Sequence, residues 1–256
     1  MSVISEKLNI INNAKNDIKT AIENKGVVVG DVSISDYASK INEISSGGAD
    51  FEITHCMYLF YSNARIDSVN ELCSLISKDC QYFQNMCENS SKLTEIPYFD
   101  MSNCTSIYSM FKGCSNLTTI PKYNIASATS TRQMFSGCSK LVEVPELDLS
   151  SSFQINEMFY NCTALTTMGG LKNVGKGFTQ KSNNYSTYTL DLHYSTKLTH
   201  DSLMNVINNL YDLNLTYDVA NGGTLYTQQL VLGAENIAKL SSDEINIAVS
   251  KGWVVS

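Results

Sequence analysis

Four stretches of the chain are near-copies of one another. MCENSSKLTEIP starts at Met86, MFKGCSNLTTIP at Met110, MFSGCSKLVEVP at Met134 and MFYNCTALTTMG at Met158, each start 24 residues after the last. A unit this short cannot bury a core of its own. It must stack on its neighbours, so the array grows in one dimension.

Within each unit a leucine recurs at one place (Leu93, Leu117, Leu141, Leu165), followed by an Ile/Val-Pro step at Ile96-Pro97, Ile120-Pro121 and Val144-Pro145. Short pieces such as PYFDMS, PKYNIA and PELDLS come next. A fixed period with leucine and short strands predicts a leucine-rich-repeat solenoid. The twelve-residue phrase is expected to form the curved half of each coil and the P-x-x-D-x-S piece its strand. Proline would open that strand, where no ladder donor is needed. The fourth unit has Gly169-Gly170 in place of proline, expected to mark where the coil loosens.

The fold class expected is α/β: the solenoid, preceded by an N-terminal helical module and closed by an α/β C-terminal cap. The divisions are an attachment module at 1–46, a strand-helix cap at 47–85, the repeats at 86–181 and a strand-helix cap at 182–256. Residues 4–25 read as a helix with Ile4, Ile11 and Ile18 seven apart, Ala14 and Ala21 in a second row, and Leu8 and Ile22 widening the stripe. A helix of this length is marginal alone and needs a partner, which makes these seven residues the candidate oligomerisation or docking face, forming a homotrimer. Gly26 is its expected stop, and Tyr37, Ile41 and Ile44 form a second apolar stripe before the flexible break at 45–48.

FEITHCMYLF at 51–60 alternates and reads as a strand, with His55 packed inside it. A helix follows, with Ser68 and Glu71 as a capping box and Ile66, Val69, Leu72, Cys73 and Ile76 on its apolar face. Past the repeats, Leu190 and Leu192 mark a strand, Thr199 or Asp201 caps a helix, TLYTQQLVLG is a second strand, Ser241 and Glu244 are a second capping box, and Gly252 ends that helix before a last strand at 253–255. Trp253, the single tryptophan, is expected to seal the core.

Composition narrows the function. The net charge of -7 disfavours nucleic-acid backbones as partners. No apolar run approaches the roughly 18 residues of a membrane span, so no membrane insertion is expected. MSVISEKLNIINNAKND lacks the pattern of a secretory signal, which points to synthesis in a cytosol. Of eight cysteines, Cys114, Cys138 and Cys162 share one repeat position and Cys80 and Cys104 another, which favours reduced packing thiols over disulfides or metal ligands. No dinucleotide, phosphate-loop, serine-elbow or zinc-helix motif occurs. His193 and His200, with Asp191 and Asp201 nearby, match no defined metal site, and Asp100 and Asp148 share a turn position. No enzyme and no cofactor are expected.

Two resemblances carry the functional expectation. Residues 7–44 resemble a short module recurrent in structural proteins of tailed bacteriophages, through the Lys-Leu-Asn-Ile start, Ile18 to Ile22, Lys25-Gly26-Val27, and Tyr37-Ala38 with Lys40 to Ile44. Residues 80–170 resemble the BspA-like leucine-rich repeats, with the pattern M-F-x-x-C-x-x-L-x-x-I-P. The resemblances imply a non-enzymatic virion protein, a fibre, appendage or decoration subunit whose partners are other virion proteins and itself. The outward body would bind a host-surface protein or glycan, with Tyr98, Tyr108, Tyr123 and Tyr160 as candidate contacts because tyrosine offers area at low entropic cost. The alternative they imply is a bacterial surface adhesin.

Overall fold

Backbone amides decide the architecture. In the computed structural model, which describes residues 53, 56–63, 73, 74, 76–177, 189–215 and 228–256, alternate N–H groups of one coil donate to the next coil. Phe83, Asn85, Cys87 and Asn89 donate to the carbonyls of Ser106, Tyr108, Met110 and Lys112, and Ile107, Ser109, Phe111 and Gly113 donate to those of Ser130, Arg132, Met134 and Ser136. The amides between them turn back: Met86, Glu88 and Ser90 donate to Phe83, Asn85 and Cys87. These amides are thereby satisfied within and between the coils. The alternation needs left-handed backbone at two places per coil, and it occurs at Asn85, Ser109, Gln133 and Glu157 and again at Asn89, Gly113, Gly137 and Asn161.

Most of the ladder thus runs through the twelve-residue phrase and the residues just before it. The phrase, expected as the curved half of each coil, carries ladder bonds as well. Regular strands form on both sides of proline: β1 (Glu143–Val144) and β2 (Leu147–Asp148) pair in parallel with β3 (Thr167–Met168) and β4 (Leu171–Lys172). Pro145 lies between β1 and β2 and does not open a strand, because it has no N–H to give the ladder. Gly169 and Gly170 do not loosen the coil either. Gly169 N–H donates to Val144 O at 2.9 Å, and Gly170 O accepts from Leu147 N–H at 3.0 Å.

The interior is columnar. Phe111, Phe135 and Phe159 stack with ring centroids 5.8 and 5.5 Å apart. Leu93, Leu117, Leu141 and Leu165 form another fully buried column. The repeated cysteine is a hydrogen-bond donor as well as a packing residue. Cys114, Cys138 and Cys162 direct their thiols to the carbonyls of Cys87, Phe111 and Phe135 at 3.0, 3.1 and 3.1 Å. Ser90 takes the same place in the first repeat and donates to Phe60 O. Asp100, Asn124 and Asp148 each accept from the backbone N–H two residues on, the turn role expected of them.

Among the described residues, two coils lie outside the 24-residue array. Of the strand expected at 51–60, Ile53 makes a parallel bridge to Ile76, but 57–60 belong to a different element, 57–62. This element is a turn whose Tyr58, Phe60 and Ser62 N–H groups donate to Gln84, Met86 and Glu88. Tyr58 and Ser62 are left-handed, matching Asn85 and Asn89 at an offset of 27. At the other end, Ser195 Oγ donates to Cys162 O at 3.3 Å and Thr199 N–H to Thr166 O at 3.0 Å, so 192–199 continues the stack at an offset of 33.

The C-terminal part repeats on a longer scale. β5 (Thr189–Asp191), β6 (Gln228–Val231) and β7 (Trp253–Val255) form one parallel sheet in that order. After β5 comes α1 (His200–Asn209), N-capped by Thr199. After β6 come α2 (Ala234–Ile237), unforeseen in the sequence, and α3 (Ser242–Ser250), whose capping box pairs Ser241 with Glu244. Helix α1 packs over β3 and β4, and α3 over α1 and β7. Lys251 Nζ donates to Ile207 O and Asn208 O at 3.0 and 2.8 Å, closing the end of α1. Trp253 is buried, as expected, with its indole N–H on Tyr211 O at 3.1 Å. Among the described residues no helix is long and apolar enough to cross a membrane.

The α1–α3 contact carries a charge pair. His200 Nε2 lies 2.8 Å from Glu244 Oε1. Glu244 raises the His200 pKa, aided by Asp201, while the Ser241 N–H and then His200 hold Glu244 below its ordinary value. A raised histidine stabilises the fold below its unfolded pKa near 6.5, and that gain is lost as pH rises through the folded value. The lowered glutamate stabilises above its unfolded value near 4.5, and that gain is lost as pH falls through the folded one. The pair is therefore strongest between these two values. The urea midpoint of the native chain is expected to fall more between about pH 6 and pH 8 than that of His200→Ala. Identical profiles would show that the pair contributes nothing.

Candidate binding surface

The four candidate tyrosines come from different columns and meet different fates. Tyr123 is 2% exposed, and its hydroxyl donates to Pro97 O at 2.8 Å. This corrects its assignment to a ligand surface: Tyr123 holds the inward place that Phe99 holds one coil earlier, and their rings lie 5.1 Å apart. Burial accordingly pushes its phenol pKa up. Tyr98, at 61%, is the most exposed of the large hydrophobic residues described, and it stacks on the outer side of Tyr123 at 6.0 Å. Tyr108 is half-buried, with the Arg132 guanidinium 6.0 Å from its ring centroid and its hydroxyl 3.3 Å from Gln133 Oε1.

Tyr160 alone of the four belongs to a cluster of exposed rings. It meets Tyr194 edge-on at 4.8 Å, and Tyr194 meets the His193 ring at 3.7 Å. Both tyrosines are exposed, at 44% and 37%. Asp191 Oδ1 accepts from His193 N–H at 3.0 Å and lies 2.5 Å from His193 Nδ1, which fixes the imidazole beside the rings. The neighbouring Tyr160 side chain raises the Tyr194 pKa. The result is apolar ring surface bordered by hydroxyls, an imidazole and a carboxylate, a set able to pack on a flat face and exchange hydrogen bonds at its edge.

The backbone explains the convergence. Tyr160 lies two residues after Met158 in the last repeat, and Tyr194 lies just before Ser195, where the chain rejoins the stack next to Cys162. Sequence reading missed Tyr194, and weighed Asp191 and His193 only as metal ligands, because their offset from the array is not 24. The S-x-x-L spacing of Ser195 and Leu198, equal to that of Ser90 and Leu93, is the signal that locates them. The two histidines considered as a metal pair go separate ways, His193 to Asp191 and His200 to Glu244. The docking residues Ile4, Leu8, Ile11, Ala14, Ile18, Ala21 and Ile22 lie outside the described residues, as do Ser68, Glu71, Ile66, Val69 and Leu72 of the next expected helix; of its apolar face, Cys73 is buried and helical, while Ile76 instead pairs in parallel with Ile53.

The described repeats are stacked coils with aromatic columns inside and exposed tyrosines on the outside. The chain belongs to the family described as "Mycoplasma protein of unknown function, DUF285", whose pattern matches residues 55–187. That span begins at the 56–63 coil and ends just before β5. No curated protein and no solved structure matches the chain.

Proposed function

We propose that the chain is a non-enzymatic bacteriophage virion subunit of a fibre, appendage or decoration, which displays a leucine-rich-repeat solenoid and is attached through its N-terminal helices. The observation that carries the display part is the register of the stack. Side chains 24 residues apart stand over one another, so an exposed column keeps its shape along the body. The exposed Tyr160–Tyr194–His193 cluster is the part of that surface best equipped to hold a host-surface protein or glycan. The attachment part rests on residues 7–44 and their resemblance to phage structural modules.

A second reading is a bacterial surface adhesin built on the same repeats; the family's description names Mycoplasma, a bacterium, which fits its source and leaves its role open. Light scattering on the size-exclusion peak separates the two. The fibre reading expects a stable trimer that becomes a monomer when residues 1–45 are deleted. A monomer in both forms would overturn attachment through that helix and leave the adhesin as the better reading.

A further inference from the structure

One pair of thiols is placed differently from the rest. Cys80 Sγ lies 2.9 Å from Cys56 Sγ, closer than unbonded sulfur atoms ordinarily settle, and both side chains are fully buried. The ladder explains the approach. Leu59 N–H donates to Cys56 O as Met86 N–H does to Phe83 O and Met110 N–H to Ile107 O. Cys56 therefore fills the place held by a phenylalanine and an isoleucine in the next two coils. The smaller side chain leaves room there, and Cys80 faces it. Cys114, Cys138 and Cys162, by contrast, donate their thiols to carbonyls.

We propose that Cys56 and Cys80 are a redox-modification site at which a hydroperoxide joins the first described coil to the second through a disulfide. The Cys80 sulfur, as thiolate, attacks the terminal peroxide oxygen and breaks the O–O bond. The departing alkoxide takes a proton and leaves as an alcohol, and Cys80 becomes a sulfenic acid. The Cys56 sulfur then attacks the Cys80 sulfur. The S–O bond breaks, and hydroxide leaves with the Cys56 proton as water. Two thiols lose two electrons and the hydroperoxide gains them.

Two further facts support the order of events. The thiol of Cys56 lowers the Cys80 pKa, while its bond to Cys80 and then burial push Cys56 up, so Cys80 is the one of the two that gives up its proton more readily. The coil at 56–63 is held to its neighbour by three backbone ladder bonds, from Tyr58, Phe60 and Ser62. Opening of that single coil admits the oxidant without unfolding the stack. The bond would tie two residues 24 apart and remove freedom from the unfolded chain.

The test uses the full chain, reduced with a thiol and then treated with hydrogen peroxide under native conditions. The expected result is a mass loss of two hydrogen atoms, a Cys56–Cys80 linked peptide in a non-reducing digest, and a melting temperature higher by about 5–10 °C. Cys56→Ser and Cys80→Ser should abolish the link, and Cys104→Ser should leave it. Eight free thiols after peroxide treatment of the native chain would overturn the proposal. So would a link from Cys80 to Cys104, or a Cys56–Cys80 link that forms only in denaturant.

Discussion

Phe135→Ala is expected to destabilise the chain by about 3–5 kcal/mol, read from the urea midpoint of the far-ultraviolet signal. Phe135 is fully buried between Phe111 and Phe159, whose rings lie within 16° of parallel to it. Its backbone is bonded both within its own coil and to the next one. Its N–H donates to Met158 O at 2.9 Å, while its carbonyl accepts from Cys138 N–H and the Cys162 thiol. The coils cannot slide together to close the gap without breaking those bonds. The truncation therefore incurs both the transfer term and most of the cavity term, and it loses two ring–ring contacts. Phe135→Leu, which fills more of the space, should cost visibly less. A loss below about 1 kcal/mol for the alanine variant would mean that the coils are not held at fixed spacing.

Gly169→Ala is the second large effect, expected at about 2–3 kcal/mol. A methyl on Gly169 would stand 2.5 Å from Glu146 N and 3.0 Å from Pro145 C, both of them backbone. Gly169 is pinned by its bond to Val144 O, and Leu147 on the facing coil is pinned to Gly170 O. No flexible side chain is available to move away. Gly137→Ala supplies the comparison. There the added carbon meets only Gly113 backbone at 3.5 Å, an ordinary contact, and the cost is that of a left-handed backbone, about 1–2 kcal/mol. Thermal melts of the two variants should place Gly169→Ala below Gly137→Ala. The reverse order would show that the coils yield at the Gly169 crossing.

The repeats were legible because stacking demands periodicity: Leu117, Cys138 and Phe135 are recognisable from neighbours 24 residues away, and all three are buried where that register puts them. The caps were legible for a local reason. Thr199 and Ser241–Glu244 satisfy amides within three residues, so the signal lies inside a short window. The 56–63 coil was not legible, because its Leu59-Phe60 stands where Met86-Cys87 does at an offset of 27 and the alternation of FEITHCMYLF resembles a strand. Tyr123 could not be told from Tyr98 by type. Their positions differ by one residue within the coil, and that step turns a ring from the surface into the core. The partnership of His200 with Glu244 spans 44 residues and follows from the packing of α1 on α3.

The sequence by itself determined that the chain is an array, the length of its unit and which residues stand in each column, because one-dimensional stacking repeats the same environment at the same interval. Only the tertiary structure decided where the array ends. Hydrogen-bond register tolerates insertions of different length, so coils offset by 27 and 33 residues join the same ladder as those offset by 24. It also decided which tyrosines meet and which two of the eight cysteines touch. Those contacts form between coils whose spacing along the chain has no fixed period, and periodicity carries no information about them.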